Sequence, residues 1–563
     1  MPKLLRRYGP FAAILIVIIV VALVATVFRG DDDDSGDAVE VQSNEELIRS
    51  GPMTPAKADL LGEEVDFGPN CDTETGRVKV PTVYAVPCVE PFEGDNGGAT
   101  SPGVTADEIL VIGYLADPAK DPLLASQVSA AGADVSPESA AETMQGYVDI
   151  INTYGEMYGR QIRLETFVGT GSYNDETAAR NDAIAIAERQ PFAVINGPTQ
   201  ASQAFATELA SRGILCIGRC SLAIPQQFSE DNPELAPYLW SVGPAPEEAS
   251  RLAAELIGQQ APPGPAEYAG DPELQSQERV YGAVHFETPD GRQAAAFETF
   301  EEELSANGVE LAADVPYILD LARAQENART MITKLKDAGV TSVIYYGDPI
   351  TPASLTAEAT AQDYFPEWII GPTLLADTAV FARTFDQEQW SHAFGISLPS
   401  GRGEQATQPS FLVYEWFTGS PPPNNTYNVI APDVTMVGIG ITLAGPDLTP
   451  ETFRDGMFRY PPSGGTIMNA GLSWGDHGFW PFTDQWGVDD GALIWWDPTA
   501  EGSSETGEAG VGLYRYANNG ARYKLGEWPS KEDGGLYDDE SSVTIYEEIP
   551  AEAKPPDYPS PAG

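Results

Sequence analysis

Histidine is scarce in this sequence, and the scarcity limits the chemistry that the chain can support. The 563 residues contain three histidines, His285, His392 and His477, and none of them is spaced with a cysteine as a zinc ligand would be. The four cysteines form two pairs that are far apart in the chain. Zinc binding is an alternative use of the cysteines, but this spacing disfavours it, and we predict no bound metal.

Basic residues are also few. Lys and Arg total 31 against 84 Asp and Glu, which gives a formal net charge of −53. A surface of this sign repels nucleic acid and anionic lipid, so we exclude DNA and RNA as partners. The acidity is typical of a very soluble protein or of one that works in a salty or acid medium. Calcium binding is the alternative, but the aspartates at residues 31–34 form an unbroken run, and no EF-hand loop is present.

The motifs of common catalytic sites are missing as well. The sequence has no G-x-S-x-G, no H-E-x-x-H and no G-x-x-x-x-G-K-[ST]. A carboxylate pair that hydrolyses glycosides would not stand out among 84 acidic residues, so such an enzyme stays an alternative. We predict a protein that is not an enzyme and that carries no cofactor.

An uncharged apolar run near the N-terminus bears on localisation. Residues 11–28 follow Lys3, Arg6 and Arg7, and their length is near the lower limit for a membrane-spanning helix. Positive charges precede this run and acidic residues follow it, so residues 1–30 are predicted to anchor the chain with its bulk on the extracytoplasmic face of the cell membrane. Cleavage of a signal peptide after Ala25, followed by secretion, is the alternative.

The cysteines fit an oxidising compartment. Cys71, Cys88, Cys216 and Cys220 can pair in three ways. We predict the two local disulfides, Cys71 with Cys88 and Cys216 with Cys220.

Strands and helices alternate over residues 105–245. The first helix is predicted to begin after Ser136, with Pro137 at its first position and Met144 on its inner face. Apolar strands with helices between them are predicted at residues 109–113, 162–168, 192–195 and 214–217. This order indicates an α/β unit with a parallel sheet.

A second unit of the same kind covers residues 280–385. Its helix after the strand at 342–346 is predicted to be capped by Thr351 and to have Pro352 at its first position. The other strands of this unit are predicted at residues 280–286 and 368–371. Two α/β units in tandem predict two lobes that face each other.

Ligands of parallel α/β sheets bind beyond the carboxyl ends of the strands, which directs attention to the loops there. One such loop lies where the third helix begins, and free N–H groups at a helix start suit a ligand carboxylate. A plain helix cap by Thr199 is the alternative. The candidate ligand-binding residues at these strand ends are Thr199, Gln200, Ala201, Ser202, Cys220, Ser221, Leu222, Phe286, Glu287 and Asp348.

Several segments together resemble a known family. They occur in the order GVTADEILVIGY, MQGYVDIINTYGEMYGRQIRLETF, FAVINGPTQASQAFATELASRGILCIG, RTMITKLKDAGVTSVIYYGDPITPASL and WIIGP. Over about residues 105–500 the chain resembles the type 1 periplasmic binding proteins, in particular the branched-chain amino acid (leucine/isoleucine/valine) substrate-binding family of ABC transporters. The resemblance implies an α/β fold with two Rossmann-like lobes, joined by a three-crossover hinge that closes on a ligand.

The resemblance also implies roles for the strand-end loops. An amino acid's carboxylate would bind at residues 199–202 and 220–222, and an aromatic and an acid of the second lobe would hold its ammonium. The family's acid falls near Pro352 here, so Asp348 or Glu287 would have to replace it, and Leu222 stands where the family has a threonine. The fold therefore transfers better than the ligand.

The expected organisation follows from these units and the resemblance. Beyond the anchor it has a flexible tether with a disulfide-stapled extension at residues 31–104, the first part of lobe 1 at 105–245, a crossover helix with a Pro- and acid-rich insertion at 246–279, lobe 2 at 280–385, the second part of lobe 1 at 386–470, a return to lobe 2 and the hinge at 471–500, and an acidic, Pro-rich C-terminal segment at 501–563 with a disordered end.

The expected function is that of an extracytoplasmic solute-binding protein. It would trap a small polar solute, an amino acid first among them, and deliver it to an ABC permease. A membrane-anchored sensor that acts through a partner protein is the alternative.

Overall fold

The computed structural model describes residues 44–120, 136–172, 174–198, 201–222, 224–287, 293–373, 375–401, 403–505, 507–544 and 549–563. The predicted anchor at residues 1–30 and the start of the tether lie outside these ranges. Within them, the helix Tyr427–Ala444 alone is long and apolar enough to cross a membrane, and 72% of it is buried inside the protein, as in a core helix.

The secondary structure elements are numbered in chain order. The strands are β1 (Cys71–Asp72), β2 (Arg77–Val78), β3 (Glu108–Leu115), β4 (Gln161–Val168), β5 (Ala193–Ile195), β6 (Leu215–Ile217), β7 (Leu239–Trp240), β8 (Tyr281–Phe286), β9 (Leu311–Tyr317), β10 (Ser342–Tyr346), β11 (Glu367–Ile370), β12 (Ala393–Ser397), β13 (Asp490–Ser503), β14 (Ala509–Tyr516) and β15 (Arg522–Lys524). The α-helices are α1 (Asn44–Ser50), α2 (Pro55–Leu61), α3 (Pro137–Tyr154), α4 (Glu176–Ala187), α5 (Ser202–Ala210), α6 (Gln226–Asp231), α7 (Pro246–Gln260), α8 (Pro272–Gln275), α9 (Ala294–Ala306), α10 (Ala324–Asp337), α11 (Thr351–Ala361), α12 (Ala379–Ala382), α13 (Gln387–Trp390), α14 (Pro409–Thr418), α15 (Tyr427–Ala444) and α16 (Pro450–Phe458).

The first sheet is parallel and has the order β4-β3-β5-β6-β7. Its central strands β5 and β6 are buried along their whole length because helices cover both faces. The predicted start of α3 is confirmed: Ser136 Oγ accepts a hydrogen bond from Ser139 N at 3.2 Å, and Pro137 is the first helical residue. The alternation of strand and helix in the sequence therefore predicted this sheet correctly.

The second sheet has a parallel part and an antiparallel part. Strands β9, β8, β10, β11 and β12 run parallel, and β13 then pairs antiparallel with β12, β14 and β15. The sequence prediction was wrong here in two respects. Residues 393–397 belong to this sheet and not to lobe 1, and the acidic segment from residue 501 supplies β14 and β15. Strand β14 follows an acidic stretch of sequence and shows no alternation of buried and exposed residues, although Leu513 and Tyr514 are buried.

The first lobe also contains helices from much later in the chain. Helix α15 packs against α3 and α16. Two glycines of α15 permit this contact, because a Cβ at Gly438 would collide with Ile151 and one at Gly440 with Phe453. The first core is thus assembled from two separate stretches of sequence.

The N-terminal extension is packed on the first lobe and is not a flexible tether over its described part. Val78, Val80 and Val86 are buried in the same core as α3. Arg160 donates hydrogen bonds to the carbonyls of Asn96 and Gly98. The predicted disulfide between Cys71 and Cys88 is confirmed, as is the small hairpin of β1 and β2 beside it.

The C-terminal residues 549–563 also pack on the protein, so the expectation of a disordered end was wrong. Tyr558 OH donates to Asp72 Oδ2 at 2.6 Å, and Trp416 Nε1 donates to the Tyr558 carbonyl at 2.9 Å. The first contact joins the C-terminal segment to the N-terminal extension, and the second joins it to α14. Composition favoured disorder because the segment is rich in proline, but its one aromatic side chain finds a partner far away in sequence.

The chain passes three times between the two sheets, through residues 241–245, through a second stretch described at 398–401 and 403–408, and through residues 459–489. Ser241 N donates to the Gln485 carbonyl at 3.1 Å, and Trp474 Nε1 donates to the Ser241 carbonyl at 3.0 Å, so the first and third passages are linked. The buried Arg522 pairs with Asp490 and donates to the carbonyls of the second passage. The three passages therefore form one hydrogen-bonded connection between the lobes.

Candidate ligand-binding site

The loops after β5 and β6 lie against each other at the carboxyl edge of the first sheet. A Cβ on Gly197 would lie 3.1 Å from the Cα of Cys220. Ser202 Oγ donates to the Leu222 carbonyl at 2.6 Å. The structure thus brings together the candidate residues Ala201, Ser202, Cys220, Ser221 and Leu222, whereas Thr199 and Gln200 lie outside the described residues.

The polar side chains among these candidates point into the protein. Ser221 Oγ donates to the Trp240 carbonyl at 2.6 Å, as Ser202 does to Leu222, and both serines are buried. Cys220 forms the predicted disulfide with Cys216. These side chains fix the shape of the two loops. A role for them in ligand binding stays a prediction.

The Asp433 carboxylate links the two loops by accepting a backbone hydrogen bond from each. It lies in α15, directly after Pro432, and its Oδ2 accepts the backbone N–H of Arg219 at 3.1 Å. The backbone N–H of Asn196, at the end of β5, also donates to its carboxylate. Burial raises the pKa of Asp433 to about 6, while the neighbouring Arg219 acts in the opposite direction. Asp433 is therefore ionised at pH 7 and holds both strand ends together.

Arg219 is the polar side chain of these loops that makes no hydrogen bond to a described residue. Its Nε lies 4.0 Å from Asp433 Oδ2, and 28% of the side chain is exposed. Its guanidinium donates no hydrogen bond to any residue that the structure describes, and its Nε is buried without an acceptor. This residue was not predicted from the sequence, although an arginine two residues after a strand end in a chain so poor in cations was a usable signal.

Gly218 is required for this geometry. Its φ is +68°, and a Cβ there would overlap the Asp433 carboxylate. We expect Gly218→Ala to lower the free energy of unfolding by about 1–2 kcal/mol or more, because an L-residue in this conformation is strained and the overlap adds to the cost. Thermal unfolding measures this effect. Gly213→Ala is the matched control, because Gly213 has φ +74° with open space around it. Equal losses in the two variants would contradict a special role for the contact with Asp433.

The second-lobe candidates also serve local structure. Asp348 accepts hydrogen bonds from Ile350 N at 2.7 Å, Thr351 N at 2.9 Å and Thr351 Oγ1 at 2.7 Å, and also from Tyr317 OH. Asp348 therefore caps α11, and the prediction that Thr351 is the cap was wrong, because Thr351 is the first helical residue. Glu287 accepts from Gln293 N at 3.1 Å, and Phe286 packs on Tyr317. Ligand binding by these three residues stays a prediction.

The charged groups elsewhere in the described structure give little support for a catalytic site. Within the described residues, no group of three or more His, Cys, Asp or Glu side chains is arranged to hold a metal ion. The acids whose pKa is most clearly raised, Glu248, Asp484 and Asp489, are almost wholly buried, so a substrate cannot reach them. An open groove at the amino ends of β3 and β4 contains Arg160 and Arg163, but both already have acceptors.

Comparison with known proteins finds similar solved structures but no matching family model. No protein-family model matches the chain, and no curated protein matches it. Solved structures similar to it include substrate-binding proteins of ABC transporters. One, from Desulfitobacterium hafniense in complex with Leu, has 14% identity and a TM-score of 0.45, covering 74% of this chain and 100% of its own. The branched-chain amino acid protein LivJ from Streptococcus pneumoniae in complex with isoleucine has 14% identity and a TM-score of 0.46, with coverages of 72% and 99%.

A third neighbour binds a different kind of ligand. It is a solute-binding protein from R. palustris in complex with 4-hydroxybenzoate, with 11% identity, a TM-score of 0.48 and coverages of 77% and 100%. The resemblance found in the sequence is to the same class of protein. At these identities the likeness concerns the fold.

Proposed function

We propose that this protein is an extracytoplasmic solute-binding protein that traps a small ligand between its two lobes and delivers it to an ABC importer. The observation that carries the proposal is the pair of α/β lobes linked by three chain passages, with the Arg219 guanidinium, which donates no hydrogen bond to a described residue, at the carboxyl edge of the first sheet. Carboxyl edges of parallel sheets are where such folds bind ligands.

Two further features support binding without turnover. The described residues bring no metal ligand set to the strand-end loops, the hydroxyls of Ser202 and Ser221 there donate to carbonyls, and Glu248, Asp484 and Asp489 are buried elsewhere. The strongly negative charge suits a protein that works among solutes outside the cytoplasm and does not bind nucleic acid. The neighbours bind leucine, isoleucine and 4-hydroxybenzoate, so amino acids and aromatic acids are the first ligands to test.

Isothermal titration with these compounds, together with small-angle scattering, tests the proposal. We expect one solute per chain to bind and to reduce the radius of gyration as the lobes close. Ligand at about 100 times its dissociation constant should stabilise the protein by about 2.7 kcal/mol, which for a chain of this size is a shift of a few degrees.

Two results would contradict the proposal. One is binding with conversion of the bound compound, which product analysis by mass spectrometry would detect and which would indicate an enzyme. The other is the absence of binding across amino acids, aromatic acids, amides and sugars.

A further inference from the structure

We propose that the Arg219 side chain is the carboxylate-binding group of the first lobe, so that the ligand is a small monocarboxylic acid. This inference rests on the proposed function. It assigns the contact to a guanidinium and not to the hydroxyls of Ser202 and Ser221, which donate to carbonyls within the protein.

The Arg219 guanidinium donates no hydrogen bond to a described residue. Other arginines with restricted exposure have acceptors: Arg383 donates to the carbonyls of Gly502 and Gly512, and Arg522 to Asp490 and Leu398. Arg219 alone among these three has none among the described residues, although its Nε is buried. A buried donor without an acceptor costs free energy, and a bound oxyanion would recover that cost.

Among the described residues, Asp433 is the only acid that lies close enough to Arg219 to neutralise its charge. The distance of 4.0 Å from Nε to Oδ2 is too long for a hydrogen bond. The same oxygen already accepts the backbone N–H of Arg219. Asp433 is therefore a positioning residue: it holds the backbone of Arg219 in place and accepts no hydrogen bond from its guanidinium.

The surroundings of the Arg219 guanidinium favour a ligand with a single negative charge. A guanidinium presents paired donors that match a planar carboxylate. Asp433 beside it reduces the local positive charge, and the whole chain carries −53. A doubly charged phosphate would be repelled more strongly than a carboxylate at such a place. A single negative charge is the best match, and a neutral sugar or amide would leave Nε without a charged acceptor.

The test compares acids with their amides on the intact protein. Leucine with leucinamide and 4-hydroxybenzoate with 4-hydroxybenzamide are titrated by calorimetry at pH 7, with glucose as a neutral probe. We expect at least one acid to bind more tightly than its amide by about 10-fold or more. Arg219→Met should weaken binding of that acid by about 10- to 100-fold, because a charged hydrogen bond pair is lost. Arg219→Lys should lose less, since it keeps the charge but not the fork.

Arg163→Met is the matched control. Arg163 is also an arginine of the first lobe, is 43% exposed and pairs with Glu108, so its loss should leave binding unchanged. If acids and amides bind equally and Arg219→Met has no effect, this inference is wrong while the proposed function stands. If no probe binds at all, the proposed function fails and the inference fails with it. If Arg219→Met does not fold by circular dichroism, the acid-to-amide ratio of the unmodified protein and of Arg219→Lys decides.

Discussion

Glu367→Gln is expected to lower the free energy of unfolding by about 3–5 kcal/mol, the largest single effect that the structure predicts. Glu367 in β11 forms a bidentate pair with Arg279, with Nε to Oε2 and Nη2 to Oε1 both at 2.9 Å. Both side chains are completely buried. The substitution would leave a buried guanidinium without a counter-charge, which is far more costly than losing an exposed pair.

The cost should be large because this pair also organises its surroundings. Ser342 Oγ donates to Glu367 Oε2 at 2.6 Å, and Tyr268 N donates to Oε1 at 3.0 Å. Arg279 donates to the Pro262 carbonyl at 2.9 Å. The pair therefore fastens the insertion at residues 259–279 to strands β10 and β11 of the second lobe.

Urea unfolding followed by circular dichroism measures the effect. Removal of both charges in Arg279→Met/Glu367→Gln should cost less than the sum of the two single substitutions, because neither charge is then left alone. The matched control is Arg163→Met, whose partner Glu108 is 52% exposed, and its cost should be about 0–1 kcal/mol. Equal losses of unfolding free energy at the buried and the exposed pair would show that burial adds nothing to the cost of breaking an ion pair.

Local patterns in the sequence predicted the first lobe and both disulfides. Ser136 followed by Pro137 fixes the start of α3, and the short apolar runs of β5 and β6 are recognisable because they are buried on both faces. The cap at Asp348 was also accessible, since it precedes Thr351, whose backbone N–H it accepts, by the three residues usual for an N-cap. It was missed because the sequence prediction placed Pro352 at the first helical position, which made Thr351 the cap.

The candidate site was less predictable because it depends on contacts between distant residues. Arg219 and Asp433 are 214 positions apart, and only their contact explains why Gly218 is a glycine and why the Arg219 guanidinium is left free. The hydroxyls of Ser202 and Ser221 looked like ligand contacts in the sequence, but each is engaged by a carbonyl. A pattern gives the type and order of residues at a strand end and not the direction of their side chains.

The passages between the lobes contain a buried group of acids that should make stability depend on pH. Glu248, at the start of α7, and Asp484, in the third passage, are within hydrogen-bonding distance of each other, and both are almost wholly buried. No donor of the described protein reaches Glu248 Oε1, and a proton shared with the Asp484 carboxyl would satisfy it. Burial raises the pKa of Glu248 to about 8 and raises the pKa of Asp484 as well, with the neighbouring carboxyl adding to the rise for Asp484.

Asp489 belongs to the same group of acids. Burial raises its pKa to about 7, although hydrogen bonds from Ser473 and Trp480 and the charge of Lys524 act against the rise. The two histidines with altered pKa values, His392 and His477, are shifted downward by burial and therefore titrate below this range. Above about pH 6.5 the pH dependence thus arises from the buried acids.

Stability is therefore expected to fall as the pH rises from about 6 to 9. A folded-state pKa above the unfolded value means that the folded chain keeps protons that the unfolded chain has released, so the stabilisation is complete at low pH and is lost as the pH passes the folded pKa. The slope is up to about 1.4 kcal/mol per pH unit for each proton. Urea unfolding at a series of pH values measures this slope.

Glu248→Gln should reduce the slope and raise the stability at pH 9 relative to the unmodified protein. The amide resembles the protonated carboxyl in shape and cannot ionise, while its oxygen can still accept the Ala245 N–H that Glu248 binds at 2.8 Å. Glu298→Gln on the exposed side of α9 is the matched control and should leave the slope unchanged. If Glu248→Gln kept the full slope, the proton would reside elsewhere. A stability that rose between pH 6 and 9 would mean that these acids are ionised in the folded protein, and the connection between the lobes would then need a cation to hold them.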